Sequence, residues 1–290
     1  MLSLYFSIIL RILSNPLGNV FQKKLSNQKV NPLWINFVTY FFLAVCSLLL
    51  SYSTNWGGFS KTFWIFAISG GIMGALGNGF LIQAIKYGEL SVLGPINSYK
   101  SIIGMLAGII FLGEFPGIIG FAGMILIIYG SYFIFDTLEE KFSLKLLSRK
   151  DIQFRIYATI FTATEAALIK KVITESSPFI SFVVWSCFGA LFSFLFLFPE
   201  KVNIKSEIKK LNTNQLGQYL CLLICVASMQ MTTNYVFEKM NVGYALAIFQ
   251  LSAIISVVLG YKFFKEKDIG KKLLGSFIMV TGSVLIILYG

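Results

Sequence analysis

The sequence predicts an all-α integral membrane protein with ten transmembrane helices, arranged as two inverted five-helix repeats. Three observations carry this expectation. Apolar runs of membrane-crossing length recur along the chain, charge is scarce and gathers between them, and the second half echoes the first. The 290 residues are 56% hydrophobic and 13% charged, where a soluble domain is about half apolar and a quarter charged. Mean hydropathy is +0.77.

The spans fall at 2–22, 33–53, 62–85, 91–112, 117–135, 153–171, 179–198, 216–237, 243–263 and 272–289. Each run is long enough, at about 20 residues, to cross a ~30 Å hydrocarbon core as a helix. A membrane barrel needs alternating strands of about 10 residues, and these runs are continuous and longer. Polar punctuation separates them: Lys23-Lys24 through Asn31-Pro32, Ser53-Thr54-Asn55, Glu114-Phe115-Pro116 and Ser176-Ser177-Pro178. Only the connections 136–152 and 199–215 are long, and neither has room for a soluble domain. The first run lacks the basic start and small-residue cleavage site of a signal peptide, so it reads as a retained span. The expected organisation is a first unit over 1–135, a linker over 136–152 and a second unit over 153–290.

The net charge of +11 admits nucleic acid or anionic lipid as a partner, and its distribution favours lipid. Of the 24 Lys and Arg residues, 18 fall in the odd-numbered connections or the span ends beside them and four in or beside the even ones, with Arg11 and Lys100 deeper within spans. The positive-inside rule then makes the odd connections cytoplasmic and places both termini together on the other side. A multi-pass protein of the plasma (cell inner) membrane is expected, with no nucleic-acid role.

Residues 84–134 align with 236–286 without a gap. Glu114 meets Glu266, and Gly108, Gly123 and Gly130 meet Gly260, Gly275 and Gly282. Upstream, Lys23-Lys24 followed by Pro32 echoes Lys170-Lys171 followed by Pro178. Two copies of a five-helix unit in one chain insert in opposite orientations, because five is odd. That is the inverted-repeat plan of many secondary carriers, which bind near the midplane at the repeat interface.

The segment Ile110-Phe111-Leu112-Gly113-Glu114 with Gly123 and Gly130 resembles the end of an EamA-type repeat of the drug/metabolite transporter superfamily. Phe263-Phe264-Lys265-Glu266 with Gly275 and Gly282 is similar. So is Ala84-Ile85-Lys86-Tyr87-Gly88 running into Val92-Leu93-Gly94-Pro95. The resemblance covers nearly the whole chain. It departs where Lys265 stands opposite Gly113 and where span 9 has no match for Pro95. It implies a ten-helix transporter, in a family that includes exporters of amino acids and other metabolites. It also implies cytoplasmic termini, opposite to the charge count.

Polar groups in hydrocarbon are costly and normally face the bundle interior. Lys100 lies near the middle of span 4, too deep to snorkel easily, and suits the carboxylate or phosphate of a substrate or an ion pair with Glu165. Glu165, in span 6, suits proton coupling, a substrate amine, or a fixed partner for Arg11 or Lys100. Arg11 reads chiefly as a charge partner. Asn78, Asn97, Tyr99, Gln230, Asn234 and Gln250 form an uncharged layer for a shared cavity or for interhelical bonds, and Trp185 is deep enough to line the same cavity. Pro95 and Pro16 can free backbone carbonyls and act as hinges. Trp34, Trp56 and Trp64 lie near span ends, as interfacial anchors do. Glu114 and Glu266 read as caps or turn residues at span ends.

The chain has no histidine, and its cysteines Cys46, Cys187, Cys221 and Cys225 all lie in apolar runs without a C-x-x-C. Metal sites, His-based catalysis and cofactors are not expected, nor is an enzyme. No ATP-binding motif is present, which argues against a primary pump. The expected function is alternating-access transport of a small polar metabolite, with amino acids or similar amphoteric solutes in front. Export is the expected direction, with protons as the candidate coupling ion, by a monomer or homodimer. The alternative is a drug exporter or a flippase of lipid-linked compounds on the same fold.

Overall fold

The computed structural model describes residues 2–107, 117–209 and 211–289. The markers Gly108, Phe111 and Glu114 of the first repeat lie outside the described residues. Every long element is a helix. Helix α1 (Leu2–Asn27) leads into α2 (Pro32–Leu50), whose start is set by Pro32 and by the Asn31 side chain accepting from the Leu33 N–H. Ser60 caps α3 (Lys61–Tyr87) in the same way, satisfying a donor that the first turn leaves free. Next come α4 (Leu90–Leu93), a tight turn over Pro95–Ser98, α5 (Tyr99–Ala107) and α6 (Ile118–Phe135). The second half holds α7 (Lys150–Glu175), α8 (Pro178–Leu195), α9 (Ile204–Lys209) and α10 (Thr213–Lys239). It ends with α11 (Val242–Phe249), α12 (Leu251–Phe264) and α13 (Ile269–Tyr289).

Among the described residues, eight segments are long and apolar enough to cross a membrane: α1, α2, α3, α6, α8, α10, α11 with α12, and α13. Two of the ten expected spans differ. Span 4 is broken at Pro95, which has no N–H to donate. Helix α7 has the length but carries Arg155, Glu165, Lys170 and Lys171. Span 9 is also interrupted, at Gln250, without a proline. The second half-helices start at Tyr99 and Leu251, which are equivalent positions of the two repeats. By contrast α1 runs unbroken through Pro16.

The packing respects the repeat. Helix α3 lies on α7 and α1 on α10, while α2 lies on α8 and α6 on α13. Exchanging the two units swaps the first two contacts and maps each of the others onto itself. The repeat glycines make the last contact close. A Cβ on Gly123 would stand 2.6 Å from the Gly282 carbonyl oxygen, and one on Gly130 would stand 2.7 Å from that of Gly275. Numbering rises along one helix as it falls along the other, so α6 and α13 cross antiparallel with backbones touching. Apolar side chains such as Leu49, Ile118 and Phe277 point outward, as contact with lipid tails requires. Trp34 does not join them. It is buried beside Phe37, with ring centroids 5.5 Å apart, because α2 packs into the bundle at that end.

One end of the bundle gathers the close of α1, the start of α4, the close of α12 and the start of α13. Two ion pairs tie these elements together, one buried and one open to solvent on its carboxylate side. Lys23 Nζ donates to Glu266 Oε1 at 2.7 Å and to the Gly88 carbonyl at 3.0 Å. Glu266 also accepts from the Leu90 and Ser91 N–H groups at 2.9 and 2.8 Å, so it caps α4. Lys272 pairs with Glu89. Burial opposes ionisation of Glu266, but the Lys23 ammonium and the Ser91 donors hold its carboxyl below the usual value. Lys170, the echo of Lys23, donates to the Met240 carbonyl at 3.5 Å and to that of Phe237. Met240 is the repeat equivalent of Gly88. Both lysines thus sit on freed carbonyls at a helix C-terminus, where a cation is favoured.

Candidate substrate site

A cavity of about 100 Å³ lies among α1, α3, α5, α7, α10 and α11. Its charged groups are Arg11, Lys100, Arg155 and Glu165, three cations against one carboxylate. The interruptions in the two broken spans lie beside it.

Arg11 reaches in from α1. Its Nε donates to Thr233 Oγ1 at 2.7 Å, and its guanidinium carbon stands 4.6 Å from the centroid of the Phe249 ring. Arg11 Nη1 is buried and has no partner among the described residues. Arg155 comes from the first turns of α7. The tight turn after Gly94 bonds the Asn97 N–H to the Gly94 carbonyl, which leaves the Leu93 carbonyl without its helical donor. Arg155 Nε takes that carbonyl at 2.8 Å, and Nη2 reaches Asn97 Oδ1 at 3.2 Å. Asn97 in turn donates to Gln250 Oε1 at 3.1 Å. The breaks in the two repeats are therefore bonded to each other, with Arg155 on one of them.

Lys100 stands one residue into α5 and lines the cavity. Among the described residues it makes no hydrogen bond and no ion pair. The expected alternative, a fixed pair with Glu165, is not formed. Glu165 accepts instead from Trp185 Nε1 at 2.5 Å. It fits against Gly74, where a Cβ would stand 2.5 Å from its Oε1.

The uncharged layer divides. Asn78, Asn97 and Gln230 line the cavity, and Asn78 also donates to Tyr40 Oη at 2.7 Å. The others serve the packing around it. Tyr99 donates to Ser131 Oγ at 2.9 Å. Asn234 accepts from Gln230 and donates to the Pro178 carbonyl at 3.0 Å. Gln250 is buried behind Asn97. Trp185 borders a side chamber of about 30 Å³ that shares Asn15, Asn19 and Asn78 with the cavity.

Sequence reasoning missed Arg155, Asn15, Asn19, Thr162 and Thr233 as lining residues. A signal was present for most of them. Arg11, Asn15 and Asn19 recur every fourth residue, and Arg155, Thr162 and Glu165 share one face of α7 at helical spacing. Arg155 lies so close to the start of its span that it reads as part of the preceding connection.

A model of the EamA-like transporter family matches residues 3–136 and 151–288. A protein of Streptococcus agalactiae serotype V, named provisionally for sugar uptake, is 26% identical over 241 residues, which is 78% of this chain and 79% of its own length. One of Streptococcus pyogenes serotype M1, named in the same way, is 23% identical over 234 residues and covers 77% and 78%. A solved crystal structure superposes at a TM-score of 0.65 with 12% identity, covering 98% of this chain and 96% of the other, which is a likeness of fold. With two matched repeats, a bundle of membrane-length helices and a polar cavity at their centre, the chain belongs to the EamA-like transporter family of the drug/metabolite transporter superfamily and is a multi-pass membrane transporter.

Proposed function

We propose that the protein is a secondary carrier for a small polar solute bearing a carboxylate or phosphate, with amphoteric metabolites such as amino acids as first candidates. One observation carries this reading: Lys100 lines the cavity and has no hydrogen bond or ion pair among the described residues. A half-buried ammonium that no carboxylate reaches directly is costly, so a solute anion that pairs with it gains that interaction. Arg11 Nη1 supplies a second free donor. Glu165 is the group available to an amine or a proton.

The carrier works by alternating access. The ten spans comprise the eight long apolar segments with α4–α5 and α7 added, and the two five-helix units are inverted. The broken spans 4 and 9 provide the moving parts, with Pro95 as the hinge in the first. Pro16, inside an unbroken helix, serves more weakly. The end bearing the ion pairs is cytoplasmic on the charge count.

Sugar uptake is the second reading. The names of the streptococcal relatives favour it, and the amides of Asn15, Asn19, Asn78 and Asn97 suit hydroxyl groups. Export of drugs or lipid-linked compounds fits the polar wall less well. Flux into proteoliposomes of radiolabelled amino acids, organic acids, sugar phosphates and neutral sugars tests the proposal. Transport of an anionic or amphoteric solute is expected. Transport of neutral sugars alone would overturn the anion reading and leave the carrier intact.

A further inference from the structure

The side chamber runs from the cavity toward the charged end. It lies among α1, α2, α3 and α10 and reaches Gln22 and Asn36. Gln22 Oε1 is buried there without a partner among the described residues. Beyond it stands an apolar plug of Leu25, Ile35, Ile82 and Leu222, each at most 1% exposed. On the far side of the plug, four more buried polar atoms lack partners among the described residues: Ser26 Oγ, Trp34 Nε1, Gln215 Oε1 and Tyr219 Oη. Helix α9 covers this region. Its Glu207 accepts from the Asn31 N–H at 3.0 Å, and Ile204 packs against the plug.

Buried polar atoms without partners destabilise the contact that encloses them, and contact with water relieves that cost. The other sector of the same end is pinned instead, by Lys23 with Glu266 and Lys272 with Glu89. If this end opens, the seam lined by five such groups parts in preference to the ion-paired sector, where Ser91 Oγ is one. We infer that the solute path between the cavity and the charged end runs along the α1–α2–α10 seam. The plug of Leu25, Ile35, Ile82 and Leu222 closes it in this conformation. This inference rests on the carrier reading, and thiol accessibility tests it independently of flux.

The test places Gln22→Cys in a background whose four native cysteines are serine. An impermeant methanethiosulfonate ammonium reagent is then applied from one face at a time. Leu144→Cys, at a position 87% exposed in the 136–149 connection, reports the charged face, and Tyr52→Cys, at one 88% exposed, reports the other. Gln22→Cys is expected to react with the sidedness of Leu144→Cys. Adding Leu222→Ala should speed the reaction about tenfold or more by lowering the opening barrier. Leu222→Phe should slow it, and Glu266→Gln should leave it nearly unchanged. Reaction only from the opposite face would overturn the inference. So would a rate that ignores both Leu222 variants, or one that rises with Glu266→Gln instead. If Leu222→Ala fails to fold, the Leu222→Phe arm decides alone. Should flux fail while the labelling pattern holds, the carrier reading falls and the hydrated seam stands.

Discussion

The charged end and the central cavity both bury cations, and they treat them differently. At the charged end Lys23 meets Glu266 and Lys272 meets Glu89, and spare carboxylate capacity goes to backbone N–H groups. In the cavity three cations face one carboxylate, and that carboxylate is bonded to Trp185. Buried pairs hold elements in register, and removing one partner strands the other. Arg155 and Arg11 still bond to the helix breaks and to α10, but Lys100 does nothing comparable for the fold, and the proposed function gives it a partner that comes and goes. Depth in the membrane does not separate a structural charge from a functional one. Pairing does.

The widest break in this contrast should come from Glu266→Ala. It strands Lys23 and uncaps α4, and the expected loss is about 3–5 kcal/mol, read as a lower melting temperature in detergent. Trp185→Phe is expected to cost less, about 1–3 kcal/mol, because it removes the donor to Glu165 and keeps the ring contacts. Its check is the same melting curve.

Acidity sharpens the contrast from the paired side. The Glu266 carboxyl is held below its ordinary value of 4.5. Its contribution to stability is therefore complete above that value and is lost as pH falls through the lower folded-state value. Melting temperature followed from neutrality into acid should drop below about pH 4.5, and Glu266→Gln should flatten that limb. The smallest effect belongs to Lys100→Ala. With no protein partner to strand and an uncompensated charge removed, it should cause no loss of stability while abolishing flux of the anionic solute.

Much of this was legible in the sequence. The repeat spacing that aligned Gly123 with Gly275 and Gly130 with Gly282 also identified the glycines that meet across α6 and α13. The depth of Lys100 and Glu165 placed both at the cavity. What hydropathy could not supply was azimuth. Tyr99 and Lys100 are neighbours at the same depth, yet one bonds to Ser131 on α6 and the other faces the cavity. Asn234 and Gln230 share a face, but only Gln230 lines the site, since Asn234 is taken by the Pro178 carbonyl. The interruption at Gln250 has no proline to announce it. It became visible only beside its repeat partner, whose proline does.

Thermal shift of the purified protein against carboxylates, phosphates, amino acids and neutral sugars, for wild type and Lys100→Ala, tests the central claim most directly. A solute bound to the folded state raises its melting point by mass action. The account predicts that an anion-bearing solute stabilises the wild type and leaves Lys100→Ala unmoved. Equal stabilisation of both proteins by the same anion, or stabilisation by neutral sugars alone, would contradict it.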